Sequence, residues 1–157
     1  MIQRIQSLLL FVAAACFAVA CFMPVGTFVT SDTYYLVTSW SVNVNIQGGE
    51  PIYPTYFIGL LQILLAGLSL VTLFLYKKRM LQSRLCLAGM FLNFILLAIM
   101  LWVYPDFILT GALKVTEIRM EYSLFTVLSI VPLACFYFAN KCILNDEKKV
   151  RAADRLR

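Results

Sequence analysis

The stretch Tyr76-Lys77-Lys78-Arg79-Met80-Leu81-Gln82-Ser83-Arg84 is a strongly charged break inside a long apolar part of the chain. Apolar segments at 55–75 and 85–104 flank it. Each is about 20 residues long, which is enough to cross a bilayer core of about 30 Å as a helix. Four cations in so short a connection favour the cytoplasmic side. We therefore predict an inside turn at 76–84, whose topology is set by Lys77, Lys78, Arg79 and Arg84.

The composition indicates that lipid is the main environment of the chain. Of its 157 residues, 62% are hydrophobic and 13% are charged, and the mean hydropathy is +0.86. A soluble domain typically has about 25% charged residues, so these charges could not cover a water-exposed surface. The net charge is +5, but the cations gather at predicted helix ends rather than on a face shared with exposed aromatics. This pattern indicates a lipid bilayer as partner and argues against nucleic acid.

The apolar pattern predicts one polytopic membrane domain over 1–157, a bundle of four transmembrane helices. Eleven of the thirteen cations fall inside in this arrangement, and only Lys114 and Arg119 fall outside. The positive-inside rule then places both termini in the cytoplasm and the protein in the inner membrane. The predicted helices are 8–25, 55–75, 85–104 and 123–144, with outside segments 27–54 and 105–121 and a cytoplasmic tail at 145–157.

The first outside segment has the period of a β-strand. Trp40, Val42, Val44 and Ile46 alternate with polar residues, which indicates a half-buried strand. Further strands are predicted at 28–30 and 34–37, and the second outside segment can add one near 118–122. We predict a small extracytoplasmic antiparallel sheet, since a disordered loop would carry fewer β-branched and aromatic residues. The residues predicted as its partner surface are Tyr34, Tyr35, Trp40, Asn43 and Asn45.

Two polar residues lie within the predicted helices. Gln62 and Asn93 are expected to make intramembrane polar contacts. Such an amide can bridge helices as a packing contact, or it can line a substrate path. Pro132 lies inside the fourth predicted helix and is expected to kink it.

The two ends of the chain leave alternatives open. Ala18-Val19-Ala20-Cys21 resembles a lipoprotein cleavage box, so Cys21 could be processed. The small residues Ala14, Ala18 and Cys21 also suit close packing of an intact first helix. In the tail, Val150, Ala153 and Leu156 form a narrow apolar stripe. This stripe suits either a docking helix or a solvated continuation of the fourth helix.

Three separated polar segments carry a family resemblance: the opening 1–7, the basic turn with its flanks at 74–86, and the tail 146–157. They resemble a membrane-protein family of Bacteroidota catalogued as domain of unknown function 4293 (DUF4293). The resemblance implies four transmembrane helices in an inner membrane, and it brings no reaction and no catalytic residues. The architecture resembles claudin-type proteins more loosely, but the paired loop cysteines of that family are missing.

The residue types favour an interaction or scaffold protein over an enzyme. The chain has no histidine and no C-x-x-C pair, so no catalytic, metal-binding or cofactor-binding residues and no cofactors are predicted. We expect the outside sheet to bind an unidentified membrane or periplasmic protein. The alternative is a small transporter or channel subunit with a neutral polar path near Asn93 and Gln62. The sequence leaves the homo-oligomeric state open.

Overall fold

The computed structural model describes residues 3–29, 34–44, 51–76, 78–103, 106 and 119–155. Within these residues the chain forms long helices and short strands. The helices are α1 (Gln3–Ala20), α2 (Tyr56–Phe74), α3 (Arg79–Ala98) and α4 (Val127–Arg155). A π-helical turn at Ile99–Val103 extends α3, and a 3-10 turn at Leu124–Thr126 precedes α4. The strands are β1 (Pro24–Val29), β2 (Tyr34–Thr38), β3 (Ser41–Val44), β4 (Pro51–Pro54) and β5 (Arg119–Tyr122).

The helices form a ring in which α1 and α3 each pack against both α2 and α4. Large apolar side chains fill the inside of the ring, among them the fully buried Leu10, Phe17, Leu65 and Phe136. The rings of Phe17 and Phe136 lie 6.4 Å apart between α1 and α4. This aromatic pair therefore marks the centre of the ring.

Three helices are long and apolar enough to cross a membrane, counting only the described residues. They cover Tyr56–Phe74, Arg79–Val103 and Leu124–Val150, and a shorter apolar helix covers Ile5–Ala20. Their outward faces are apolar as well: the exposed fractions of Phe57 and Phe91 are 83% and 67%. So large an exposed apolar surface is typical of contact with lipid. These helices indicate a membrane protein.

The predicted helix bounds held best for the second helix, expected at 55–75 and found at Tyr56–Phe74. The first helix runs from Gln3 to Ala20, five residues earlier at each end than the predicted 8–25. Pro24 and Gly26 are residue types that commonly end a helix, but here they belong to β1. These residues form a strand rather than a helix end because β1 pairs with β2 on one side and with β5 on the other.

The predicted inside turn at 76–84 is shorter than expected. Helix α3 already begins at Arg79 rather than at 85. Arg, Met, Leu and Gln are good helix formers, so charge alone does not end the helix. Similarly, α4 passes through the predicted boundary at 144 and continues to Arg155. The described part of the tail is therefore a continuation of the fourth helix.

The five strands form an antiparallel sheet in the order β4-β3-β2-β1-β5. As predicted, the second outside segment joins it, because β5 pairs with β1. The strand expected to begin at Trp40 begins at Ser41, and Trp40 lies in the bend before it. Gly48-Gly49-Glu50-Pro51 has a sequence pattern that predicts a turn. Pro51 nevertheless begins the edge strand β4, a position where proline's missing N–H is tolerated. A second turn is predicted from the sequence at Ser31-Asp32, which lies outside the described residues.

Candidate functional site

The sheet has two distinct faces. Directly opposed residues of paired strands share a face, and Thr27 opposes both Leu36 and Glu121. We define the distal face as Thr27, Val29, Tyr34, Leu36, Asn43, Arg119 and Glu121. The opposite, proximal face carries Phe28, Val37 and Val42, which are at most 1% exposed and belong to the same apolar core as the helix side chains.

The distal face is open and chemically mixed. None of its residues is buried, and the exposed fraction of Tyr34 is 52%. The exposed charges Arg119 and Glu121 lie on β5, at one edge of the sheet. Asn43 Oδ1 accepts a hydrogen bond from Ser41 Oγ at 3.0 Å, which orients its amide. A polar surface with an aromatic side chain is typical of protein interfaces.

Only part of the predicted partner surface comes together on this face. Tyr34 and Asn43 both lie on it. Tyr35 lies on the proximal face, because neighbouring residues of a strand alternate, and it packs against the core. Trp40 is half-buried in the bend between β2 and β3, and Asn45 lies outside the described residues. Sequence reasoning missed Thr27, Leu36 and Glu121, since strand pairing alone brings them together.

Trp40 attaches the sheet to the helix ring. Its Nε1–H donates to the Cys21 carbonyl at 2.9 Å. Its indole lies over Gly59 so closely that a Cβ there would be 2.9 Å from two ring carbons. The Gly59 N–H donates to the Ser39 carbonyl at 3.0 Å, and Ser39 Oγ donates to the Ala20 carbonyl at 3.3 Å. We call Cys21, Trp40 and Gly59 the Trp40 seat, which links α1, the sheet and α2.

The other side of the sheet is attached to α3 and α4. Thr126 Oγ1 donates to the Val25 carbonyl at 2.6 Å, and the Ser123 N–H donates to the same oxygen at 3.0 Å. The Tyr122 hydroxyl donates to the Leu101 carbonyl at 3.0 Å. Burial raises the pKa of the Tyr122 phenol, so this donor stays protonated at neutral pH. The sheet is therefore held by all four helices.

The cations of the basic turn lie at the opposite end of the ring. Lys78 and Arg84 are exposed, and Arg79 is half-buried at the start of α3. These three cations line one cleft together with residues of α4. Lys77 lies outside the described residues.

Asn93 bridges α3 and the part of α4 that contains Pro132. Its side chain is fully buried. Oriented by its neighbours, its amide N–H donates to the Ser129 carbonyl at 3.2 Å and its amide oxygen accepts from the Leu133 N–H at 3.1 Å. In an unbroken α-helix the Leu133 N–H would donate directly to the Ser129 carbonyl, four residues earlier. They flank Pro132, which has no N–H of its own. The geometry is that of a helix-packing contact.

Replacing Asn93 with leucine should destabilise the helix ring by about 1 kcal/mol, the size of a typical interhelical hydrogen bond in membranes. The free energy of unfolding in detergent measures it. Phe94→Leu is the control, because Phe94 is 64% exposed on the same helix. An Asn93→Leu variant as stable as the wild type would contradict the packing role.

Gln62 is also a buried amide within the helices, but unlike Asn93 it has no hydrogen-bond partner among the described residues. It is only 1% exposed. Its amide nitrogen and oxygen have no hydrogen-bond partner among the residues that the structure describes, and neither has Ser129 Oγ. A buried unpaired polar group costs about 1–3 kcal/mol.

We therefore expect Gln62→Met, which keeps the side-chain length, to stabilise the protein by about 1 kcal/mol. The matched control is Gln6→Met. Gln6 Nε2 donates to Asp146 Oδ2 at 2.6 Å, so its replacement should have the opposite sign. Chemical unfolding in detergent compares the two. Destabilisation by Gln62→Met would show that its amide has a partner, such as water or a substrate.

Comparison with models of protein families identifies the family of this chain. No curated protein matches this chain. The family model described as Domain of unknown function (DUF4293) matches residues 2–156. That match spans nearly the whole chain, including the helix ring, the sheet and the basic turn. The chain therefore belongs to the DUF4293 family.

Proposed function

We propose that this chain is a four-span inner-membrane protein that presents the distal face of its sheet to a membrane or periplasmic partner, without catalysing a reaction. The shortest of the four described helices is α1, with 18 residues. Its length of about 27 Å nearly matches a bilayer core. Its outward side chains are apolar, with Leu8 and Phe11 exposed to 63% and 59%. This surface supports a fourth crossing.

The position of the basic turn at one end of the helix ring supports the proposed orientation of the protein in the membrane. The bond from Gln6 to Asp146 brings the start of α1 beside the charged part of α4. Ser83 Oγ donates to Asn140 Oδ1 at 2.6 Å, which joins the start of α3 to the same part of α4. The basic turn is therefore at this end, and the positive-inside rule favours its exposure to the cytoplasm. The sheet would then be extracytoplasmic, at the other end.

The observation that carries the interaction role is the one-sided attachment of the sheet. All four helices hold the sheet through its proximal face and strand ends, so the distal face is presented in a fixed geometry. A preorganised surface loses little conformational entropy when it binds. Helices that served only to cross the membrane would not need such a sheet.

A site-specific photocrosslinker tests this role in native membranes. Benzoylphenylalanine at position 34 or 43 should give the same discrete adduct, because Tyr34 and Asn43 share the distal face. Position 35 is the matched control, since Tyr35 is the neighbouring tyrosine but lies on the proximal face. Adducts from all three positions, or from none, would contradict a partner on the distal face. A reporter fused after Arg79 tests orientation and should be found in the cytoplasm.

The transporter or channel alternative depends on Gln62, the buried amide without a described partner. Purified protein in liposomes tests it. Saturable solute flux that is lost in Gln62→Met would favour transport over the interaction role. Absence of crosslinked partners together with such flux would overturn our proposal.

A further inference from the structure

A cleft lies at the end of the helix ring where α3 begins. Its volume is about 660 Å³, within the about 300–1,000 Å³ typical of ligand pockets. Helix α4 forms its other wall just after Leu144, where the sequence of α4 changes from apolar to charged. We call it the basic cleft. Its cations are Lys78, Arg79 and Arg84, and its apolar side chains are Met80, Leu81 and Val150.

The charge of the basic cleft is not balanced by ion pairs among the residues that the structure describes. Lys78, Arg79 and Arg84 make no ion pair with any residue in the described part of the chain. The lining has one carboxylate, Glu147, and this residue is already engaged in another interaction. Arg79 is half-buried, and burying a charge is costly unless a counter-charge is present. We therefore expect an anion to bind in the cleft and balance its positive charge. Guanidinium groups bind phosphate particularly well.

An exposed apolar stripe continues from the basic cleft along α3. Beyond Arg84 it contains Leu87, Phe91 and Phe94, spaced three, four and three residues apart. This spacing places them on one face of the helix. Their exposed fractions are 50%, 67% and 64%. The surface thus has cations at one end and a long apolar track beside them.

We infer that the basic cleft binds the headgroup of an anionic phospholipid of the inner leaflet. Its phosphate would be held by Arg79, Arg84 and Lys78, and an acyl chain would lie on Leu87 and Phe91. This inference rests on the proposed orientation, which puts the cleft at the cytoplasmic interface. Inorganic phosphate also offers anionic oxygens to the cations, but it leaves the apolar stripe uncovered. The combination of cations and apolar track therefore favours a lipid over a soluble anion.

Native mass spectrometry of the full chain in neutral detergent tests the inference. The probes are phosphatidylglycerol and phosphatidylcholine with identical acyl chains. We expect at least about tenfold preference for phosphatidylglycerol, since each Lys or Arg near a membrane surface contributes about fivefold to the binding of anionic lipid. Inorganic phosphate should not displace the lipid, whereas added salt should weaken its binding. Equal binding of the two lipids, or displacement by inorganic phosphate, would overturn the inference.

Charge variants locate the site. The double variant Arg79→Gln/Arg84→Gln should bind phosphatidylglycerol about 25-fold more weakly. The matched control Lys148→Gln/Lys149→Gln removes the same charge from exposed positions on α4 that do not line the cleft, and it should keep the preference. An equal loss in both double variants would show general attraction and contradict the site. If the glutamine variant does not fold, Arg79→Lys/Arg84→Lys keeps the charge and should lose affinity only partly.

The outcomes also separate this inference from the proposed function. Lipid selectivity in detergent requires neither a distal-face partner nor a particular orientation in the cell. Selective lipid binding without any distal-face adduct would contradict only the interaction role. A distal-face adduct without lipid selectivity would contradict only the basic cleft.

Discussion

Replacing Trp40 with alanine should detach the sheet from the helix ring and expose Cys21. The substitution removes the indole that lies over Gly59 and the Nε1–H that bonds to the Cys21 carbonyl. Because Trp40 is half-buried, the loss should be about 3 kcal/mol, the lower end of the range for large aromatics. Cys21 is only 4% exposed, and its thiol should become about 100-fold more reactive toward a maleimide as the seat opens.

Mapping the labelled cysteines by mass spectrometry distinguishes opening of the seat from global unfolding. Cys86 is fully buried between helices and serves as the internal reference. The variant Trp40→Phe keeps an aromatic ring but loses the hydrogen bond and the part of the indole that lies over Gly59. Its cost should therefore lie between about 1 kcal/mol, the value of the hydrogen bond alone, and the cost of Trp40→Ala. Equal labelling of Cys21 in all three proteins would contradict the seat. Simultaneous labelling of Cys86 would mean that the sheet and helices unfold as one unit.

The second large effect is expected from Gly89→Leu. Gly89 is buried where α3 packs against α4, and a Cβ there would lie 2.8 Å from Cζ of Phe136. Phe136 is fully buried against Phe17 and has little room to move. The added side chain should therefore separate the helices, at a cost of about 3 kcal/mol in the free energy of unfolding.

Gly67→Leu is the matched control for Gly89→Leu. Gly67 is exposed on α2, and a Cβ there would meet nothing within 4 Å. The same substitution should therefore change stability by less than about 1 kcal/mol, mainly through helix propensity. Unfolding of both variants in detergent, monitored by circular dichroism, provides the comparison. Similar stability of the two variants would contradict the close contact between α3 and α4.

The predictions from sequence were best where one local pattern was enough. An uninterrupted apolar run located α2 to within one residue at each end. Alternation likewise indicated strands in both segments that were predicted to lie outside. Alternation does not say which strands pair, however. It therefore could not bring Thr27 beside Glu121, or assign Tyr34 and Tyr35 to particular faces of the finished sheet.

The same limit applies to the polar residues within the helices. Their position in apolar segments identified Asn93 and Gln62 as unusual, and Pro132 as a point of helix distortion. Only packing decides their roles, because Asn93 meets the backbone of α4 at the proline and Gln62 meets no described partner. The role of Trp40 also depends on packing, because its hydrogen bond to the Cys21 carbonyl joins elements that are distant in the chain.

The sequence by itself indicated a membrane protein with long apolar helices, because hydrophobicity over about 20 residues is a local property that needs no partner. It also determined the membership of the DUF4293 family and the clustering of cations in one turn. Only the tertiary structure decided which face of the sheet packs against the helices, how Trp40 joins the sheet to the helices, and that Lys78, Arg79 and Arg84 share a cleft with α4. These features join residues that are far apart in the chain, and such contacts form only when the helices and strands pack together.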